Sequence, residues 1–306
     1  LRPAASRYSR GEAPRETNMA DGSSALRRPV PFDAKRLDAL MDEAGIDVVI
    51  ASSKHNVQYL LGGYRFFFFD TMDAIGITRY LPLSIYQKGK PENAAYVGVA
   101  LENFEKELNR FWPAKLDLGA VGSKEAMGRA VDHIKSLGPG VRRIGVESGF
   151  LPADADSVLR HGLAHVTVVD AVFPLERLRA IKTPEEITYL RTASERVVDS
   201  MLTTFRKHCV PGKTKFEVAE ALRREEVSRD LVFDYLLVTA GTSINRAPSD
   251  QKLAAGDIMS LDSGGNYKGY IGDVCRMASA GEPDQELVDL LAEIEEAQQA
   301  ARKPIK

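Results

Sequence analysis

Cysteine is scarce: Cys209 and Cys275 are the only two in 306 residues, too few for a disulfide framework. Cys275 reads instead as a small apolar residue within a strand. Long hydrophobic runs are missing as well. A bilayer-spanning helix needs about 20 apolar residues, and the longest aromatic run, Phe66 to Phe69, reads as a core strand or a contact with a partner subunit. Neither sign of charge dominates. Lys and Arg total 41 against 43 Asp and Glu, so bulk electrostatics give no case for a nucleic-acid or membrane partner. Histidine is sparse too, with five in all and none after His208. His133 and His161 fall on expected helices, His165 opens an expected strand, and His208 lies near a helix C-terminus, where positive charge is favourable. Only His55, beside Asn56, is a candidate for a cleft. These absences describe a reduced, cytoplasmic chain of enzyme size with room for two domains.

What the chain does have is a pair of aspartates eleven residues apart, Asp262 and Asp273, in the stretch from Gly256 to Arg276. Asp257 to Asp262 and Tyr270 to Cys275 read as strands. Between them Asn266-Tyr-Lys-Gly269 has the residue preferences of a type I turn. With Tyr267-Lys268 at the tip, Asp262 stands directly opposite Asp273. Facing carboxylates repel across a strand pair, and a hard cation held by their oxygens removes that objection. A bulge at Gly269 would shift the register by one residue and separate the faces. Spacing alone therefore leaves two readings open: a cation site, or two solvated aspartates flanking a turn.

Residues 1–18 are rich in Arg, Ser, Ala and Pro without apolar periodicity, and 1–31 are expected to be a disordered tail, with Met19 as the natural start. From Phe32 helical and strand patterns alternate. Leu37, Leu40, Met41 and Ala44 form one helical stripe, and Ala126, Met127, Ala130, Val131, Ile134 and Leu137 another, with short strands at 47–51, 143–147 and 165–170. The stretch from Asp170 to Arg179 reads as a domain boundary. Beyond it Thr183-Pro-Glu-Glu186 and Thr214-Lys-Phe-Glu217 are capping boxes opening two helices. A final helix near 284–302 places Leu287, Leu290, Leu291, Ile294 and Ala297 on one face, with Glu293 and Glu296 on its solvated side.

The aspartate hairpin, with its leading Gly-Asp and trailing Asp-Val-Cys-Arg, resembles the metal-binding hairpin of the pita-bread metallopeptidases, the group of aminopeptidase P, prolidase, methionine aminopeptidase and creatinase. Two further segments support the resemblance in the expected order. The run from Arg179 to Ala193 is similar to the opening of their catalytic domain. Met41 to Ala51, followed by Asn56 to Gly62, is similar to a creatinase-type N-terminal domain. The resemblance implies an α/β chain: a creatinase-type N-terminal α/β domain over 32–172, then an incomplete pita-bread (α+β) catalytic domain over 173–306.

For the site, the resemblance implies two divalent ions, Mn first and Co or Zn as alternatives, with Asp262 holding one and Asp273 bridging both. Such a pair binds a shared water as hydroxide and polarises the scissile carbonyl. The family's remaining ligands, one histidine and two glutamates, have no counterpart, so the chain is expected to stop inside its catalytic domain and to be inactive by itself. Prolidase-like members carry a substrate-facing histidine five residues before the aspartate matched by Asp250. Here that position is Asn245, an amide that can hydrogen-bond a carbonyl but cannot donate a proton near neutral pH. The implied function is a metal-dependent Xaa-Pro peptidase acting on a peptide and working as a homodimer. The alternatives are a creatinase-like C–N hydrolase of a small molecule and a non-catalytic pita-bread module that binds proteins.

Overall fold

Helix α1 (Ala34–Ala44) starts where Asp33 accepts the Arg36 N–H at 2.9 Å and stops at Gly45, whose φ of 64° closes it in the left-handed conformation. The computed structural model describes residues 28–305 apart from 71, 73–75 and 77. The expected tail thus lies outside the described residues as far as position 27.

After α1 come β1 (Val48–Ala51), α2 (Lys54–Leu60), β2 (Leu83–Gln87), β3 (Ala95–Val97), α3 (Asn103–Glu107), β4 (Lys115–Asp117), α4 (Ser123–Ser136), β5 (Arg143–Val146), α5 (Ala153–Gly162), β6 (Thr167–Asp170) and α6 (Val172–Ala180). The strands form one mixed sheet in the order β4-β3-β2-β1-β5-β6, with β2 antiparallel to both its neighbours and the remaining pairs parallel. Alternation along β1 feeds two cores. Val49 and Ala51 meet Leu37, Met41, Val57 and Leu175 on one side, while Val48 and Ile50 meet Met127, Ala130, Ile134 and Leu159 on the other. The helical stripes read from the sequence are those buried faces.

The aromatic run is not a strand. Phe67–Asp70 is a 3₁₀ turn with no sheet partner. Residues three apart eclipse in that geometry, so Phe66 and Phe69 are both buried against Tyr80 while Phe67 is 62% exposed.

The rest of the chain comprises α7 (Pro184–His208), α8 (Lys215–Ser228), β7 (Val232–Ala240), β8 (Ile258–Tyr267), β9 (Tyr270–Ser279) and α9 (Gln285–Arg302). Both capping boxes form, Thr183 with Glu186 and Thr214 with Glu217. The strands make an antiparallel sheet, β7-β8-β9. Val197 and Met201 of α7 and Val218 and Leu222 of α8 cover one face against Val238, Met259 and Leu261. The approach is tight at Gly272 in β9, where a Cβ would fall 2.5 Å from the backbone of Ala193 and Ser194. Helix α9 has no buried residue, and Leu290, Leu291 and Ile294 of its apolar stripe are exposed.

Glu226 of α8 is fully buried beneath β8. The Ser263 hydroxyl lies 2.7 Å from Glu226 Oε1 and 2.9 Å from the Tyr235 carbonyl oxygen. A hydroxyl has one proton to give, so both contacts are hydrogen bonds only when Glu226 supplies the second. Burial pushes this carboxyl up to about 7; the Ser263 bond opposes the shift and the charge of Asp234 adds to it.

Two predictions follow from this packing. Gly272→Ala should lower stability by about 1–3 kcal/mol, the usual cost of overpacking. Gly128→Ala, on α4 with open space around it, should raise it by about 0.5–1 kcal/mol by restricting the unfolded chain. Urea titrations followed by circular dichroism report both signs, and equal effects would contradict the close approach of α7 to β9. For Glu226 the folded carboxyl titrates above its ordinary 4.5. Its contribution to stability is therefore complete below pH 4.5 and is lost as the pH climbs to about 7. Glu226→Gln, whose amide still donates to Ser263, should flatten the stability–pH curve across that window. An unchanged slope would show that Glu226 folds ionised.

Candidate metal centre

The β8–β9 hairpin turns on two residues, Lys268 and Gly269, with Tyr267 paired to Tyr270. Both have positive φ, 53° and 92°, the mark of a type I′ turn and not of the type I turn expected from Asn266-Tyr-Lys-Gly269. The twist of I′ matches that of the strands it joins. Asn266 supports the turn by accepting the Gly269 N–H at 2.8 Å. The tip therefore lies one residue further along than Tyr267-Lys268, and the register moves by two. Asp262 faces Cys275, and Asp273 faces Gly264. The aspartates are diagonal neighbours, not directly opposed. A shift of two preserves side-chain parity, so both carboxylates still project from one sheet face, the one away from α7 and α8.

Gly264 gives this face its shape. A Cβ there would lie 2.2 Å from Tyr235 Cε1, so the Tyr235 ring occupies the space over the glycine and reaches across β8. The phenol lies beside Asp273. Burial first, then the neighbouring Asp273 and Asp262 carboxylates, hold the phenol above its ordinary range. Tyr235 reaches this face because of a bulge between Phe233 and Tyr235 in β7, which switches the parity of the strand.

Asp262 is partly buried and forms an ion pair with Arg246. Arg246 follows Asn245 in the loop after β7, and buried Lys215, from the start of α8, holds this loop by donating its ammonium to the Asn245 carbonyl at 2.5 Å. Burial pulls the Lys215 pKa down. Asn245 itself is exposed, and its Oδ1 accepts the Ala247 N–H at 2.9 Å. Its side chain closes its own turn, while that of the next residue reaches the aspartates. Tyr235 and Arg246 are the two residues that sequence reasoning missed. Nothing in the sequence marks the bulge that aims the tyrosine, and the arginine belongs to a loop without periodicity.

Two carboxylates on one face fit a hard cation in kind, offering oxygen donors and negative charge offset by one guanidinium. They supply only part of a coordination shell. Among the described residues no group of three or more His, Cys, Asp or Glu is placed to hold a metal ion. Glu293 and Glu296 lie exposed on α9. His133 is tied to the Asn93 carbonyl at 3.0 Å, and both cysteines are free. No helix among the described residues is long and apolar enough to cross a membrane.

Comparison with known proteins bears on this arrangement. Residues 34–181 match the sequence model of the Creatinase/Prolidase N-terminal domain, and residues 189–306 that of Metallopeptidase family M24. Among curated proteins, the chain is 28% identical over 174 residues to an uncharacterised peptidase, YqhT, of Bacillus subtilis, covering 55% of this chain and 48% of that protein. It is 25% identical over 284 residues to an Xaa-Pro dipeptidase of Pyrococcus horikoshii, covering 89% of this chain and 71% of that one. The match thus spans about half the length of the first relative and under three quarters of the second. Among solved structures, an Xaa-Pro dipeptidase from Bacillus anthracis superposes with a TM-score of 0.70 at 21% identity, covering 87% of this chain and 69% of that one, a likeness of fold. With the two family models lying end to end in the order of its motifs, the chain belongs to the pita-bread metallopeptidase family M24, its M24 region preceded by a creatinase-type N-terminal α/β domain.

Proposed function

We propose that the protein is a metal-dependent Xaa-Pro peptidase of the aminopeptidase P and prolidase type. The observation that carries the reading is the emergence of Asp262 and Asp273 from one face of the β8–β9 hairpin, in a family whose peptidases use divalent metals. The relatives named as Xaa-Pro dipeptidases support the substrate class. In this reading the domain over 32–172 carries the creatinase-type sheet and 173–306 the catalytic region. The two free cysteines agree with a cytoplasmic location, and the creatinase-type domain with a homodimer.

Asp262 and Asp273 would hold divalent cations, which when bound polarise a scissile carbonyl and acidify a coordinated water. Mn is the first candidate and Co or Zn the next. The chain's own residues set the conditions. Tyr235 stands beside Asp273, and Gly264 leaves room for its ring. Arg246 balances Asp262, so a cation arriving there competes with the guanidinium. Asn245 is exposed with its Oδ1 engaged by the Ala247 N–H, so its amide hydrogens remain to donate to a substrate carbonyl. An amide in that place orients a substrate and transfers no proton.

Two outcomes test this. In the full-length protein, Asp273→Asn should cut Xaa-Pro dipeptide hydrolysis by orders of magnitude, roughly a hundredfold or more, with little change in thermal stability because diagonal like charges are relieved. Retention of most activity would remove the proposed role of Asp273, and turnover of a creatine-like substrate in place of peptides would favour the C–N hydrolase. In the present chain, calorimetric titration with Mn should show weak binding at one site and no hydrolysis, since two carboxylates leave most coordination positions to water. Arg246→Gln should tighten that binding by removing the competing guanidinium. Tight binding at two sites would contradict the donor count.

A further inference from the structure

A cavity of about 1150 Å³ lies between the creatinase-type sheet and the M24 region. Its walls are α2, α6, the first turns of α7 and the β8–β9 turn. Carboxylates and cations both line it, but they are not equally engaged. Asp70 is taken by Lys54 at 3.2 Å and by Arg65. Glu186 accepts the Thr183 N–H at 2.7 Å and the Tyr270 hydroxyl at 3.0 Å. Glu185 accepts the Tyr189 hydroxyl. Of the four lining carboxylates, only exposed Glu176 is left over.

The cations are differently placed. Arg179 makes no hydrogen bond or ion pair among the described residues, and its Nε is enclosed without a partner. Among the described residues Lys182 donates a hydrogen bond only to the Ala180 carbonyl, at 3.2 Å. Lys268 stands 4.8 Å above the Tyr189 ring, with no carboxylate in reach among the described residues. His55 lines the same space. Burial holds its pKa down, as do the charges of Arg179, Lys54 and Arg65, while Asp234 alone opposes them. A guanidinium with an enclosed, unpartnered N–H is costly unless something accepts from it, and its fork suits carboxylate and phosphate oxygens.

We propose that this cavity is an oxyanion-binding site, in which Arg179, assisted by Lys182, Lys268 and His55, holds the carboxylate or phosphate group of a small ligand. The proposal does not depend on the peptidase reading, because none of these residues belongs to the aspartate face. Arg179 and Lys182 lie in the stretch leading to the first capping box, to which that reading gives no task. The β8–β9 turn brings Lys268 to the cavity from the other side.

The test is isothermal titration of the chain at low ionic strength with inorganic phosphate and with an N-acetylated tripeptide, as the free acid and as the amide. Saturable binding is expected for phosphate, the free acid or both, and whichever binds identifies the source of the oxyanion. The amide should bind at least tenfold more weakly than the acid. Arg179→Gln should weaken binding by roughly tenfold or more, as for loss of a charge-assisted hydrogen bond, and Lys268→Gln by a smaller factor. Asp273→Asn should leave it unchanged, which separates this site from the metal face. Should Arg179→Gln fail to fold by circular dichroism, Lys182→Gln combined with Lys268→Gln decides in its place. Absence of saturable binding by both phosphate and the acid overturns the proposal, as do saturable binding of acid and amide with equal affinity, full affinity in the folded charge variants, or loss of binding in Asp273→Asn.

Discussion

The two-residue turn at Lys268-Gly269 governs both the candidate centre and the contact between the two parts of the molecule. Side chains alternate along a strand, so the face that Asp273 occupies is decided by whether the hairpin register is odd or even. The turn settles it: a type I′ geometry demands positive φ at two successive residues, and Gly269 takes its share without strain. Asn266 then locks the loop through the Gly269 N–H. A third residue in this turn would send Asp273 toward α7, into the space that Gly272 leaves for the helix backbone.

The same turn is where the creatinase-type domain leans on the M24 region. A Cβ at Gly269 would fall 2.5 Å from Gln58 Nε2, and Gln58 of α2 reaches the Lys268 carbonyl at 3.5 Å. Tyr270, the residue after the turn, donates to Glu186, the same carboxylate that completes the α7 capping box. Register, helix start and domain contact thus share a handful of polar groups. A change at Gly269 cannot be confined to the hairpin, because any side chain there meets Gln58 before it meets solvent.

How far the sequence reveals this structure depends on the range of the interaction concerned. Capping boxes at Thr183 and Thr214 and the buried helical stripes are local patterns, and each was legible within a few residues. The common face of Asp262 and Asp273 was legible too, although through a register two residues from the one expected, since parity survives an even shift. The turn type was not, because Asn-x-x-Gly suits more than one turn and the choice follows strand twist. The Phe66–Phe69 run misled because a β-like composition says nothing about whether a neighbouring strand exists. Tyr235 and Arg246 were invisible for a further reason: one depends on a bulge and the other on a loop anchored by the buried Lys215, and both are tertiary events.

The electrostatics of the aspartate face follow from these placements. Like charges on neighbouring strands repel. The chain answers asymmetrically. Asp262 is paired with the Arg246 guanidinium, whereas Asp273 has no ion pair among the described residues. The carboxylate without a countercharge is Asp273, beside a glycine that leaves the surface open except for one ring. A cation drawn to this face meets less competition at Asp273 than at Asp262, where the guanidinium must first withdraw. Arg246 can do so because it sits on an exposed loop fixed through the Asn245 carbonyl and not through its own side chain, so its departure disturbs no buried contact. The arrangement lets the fold tolerate two carboxylates on one face.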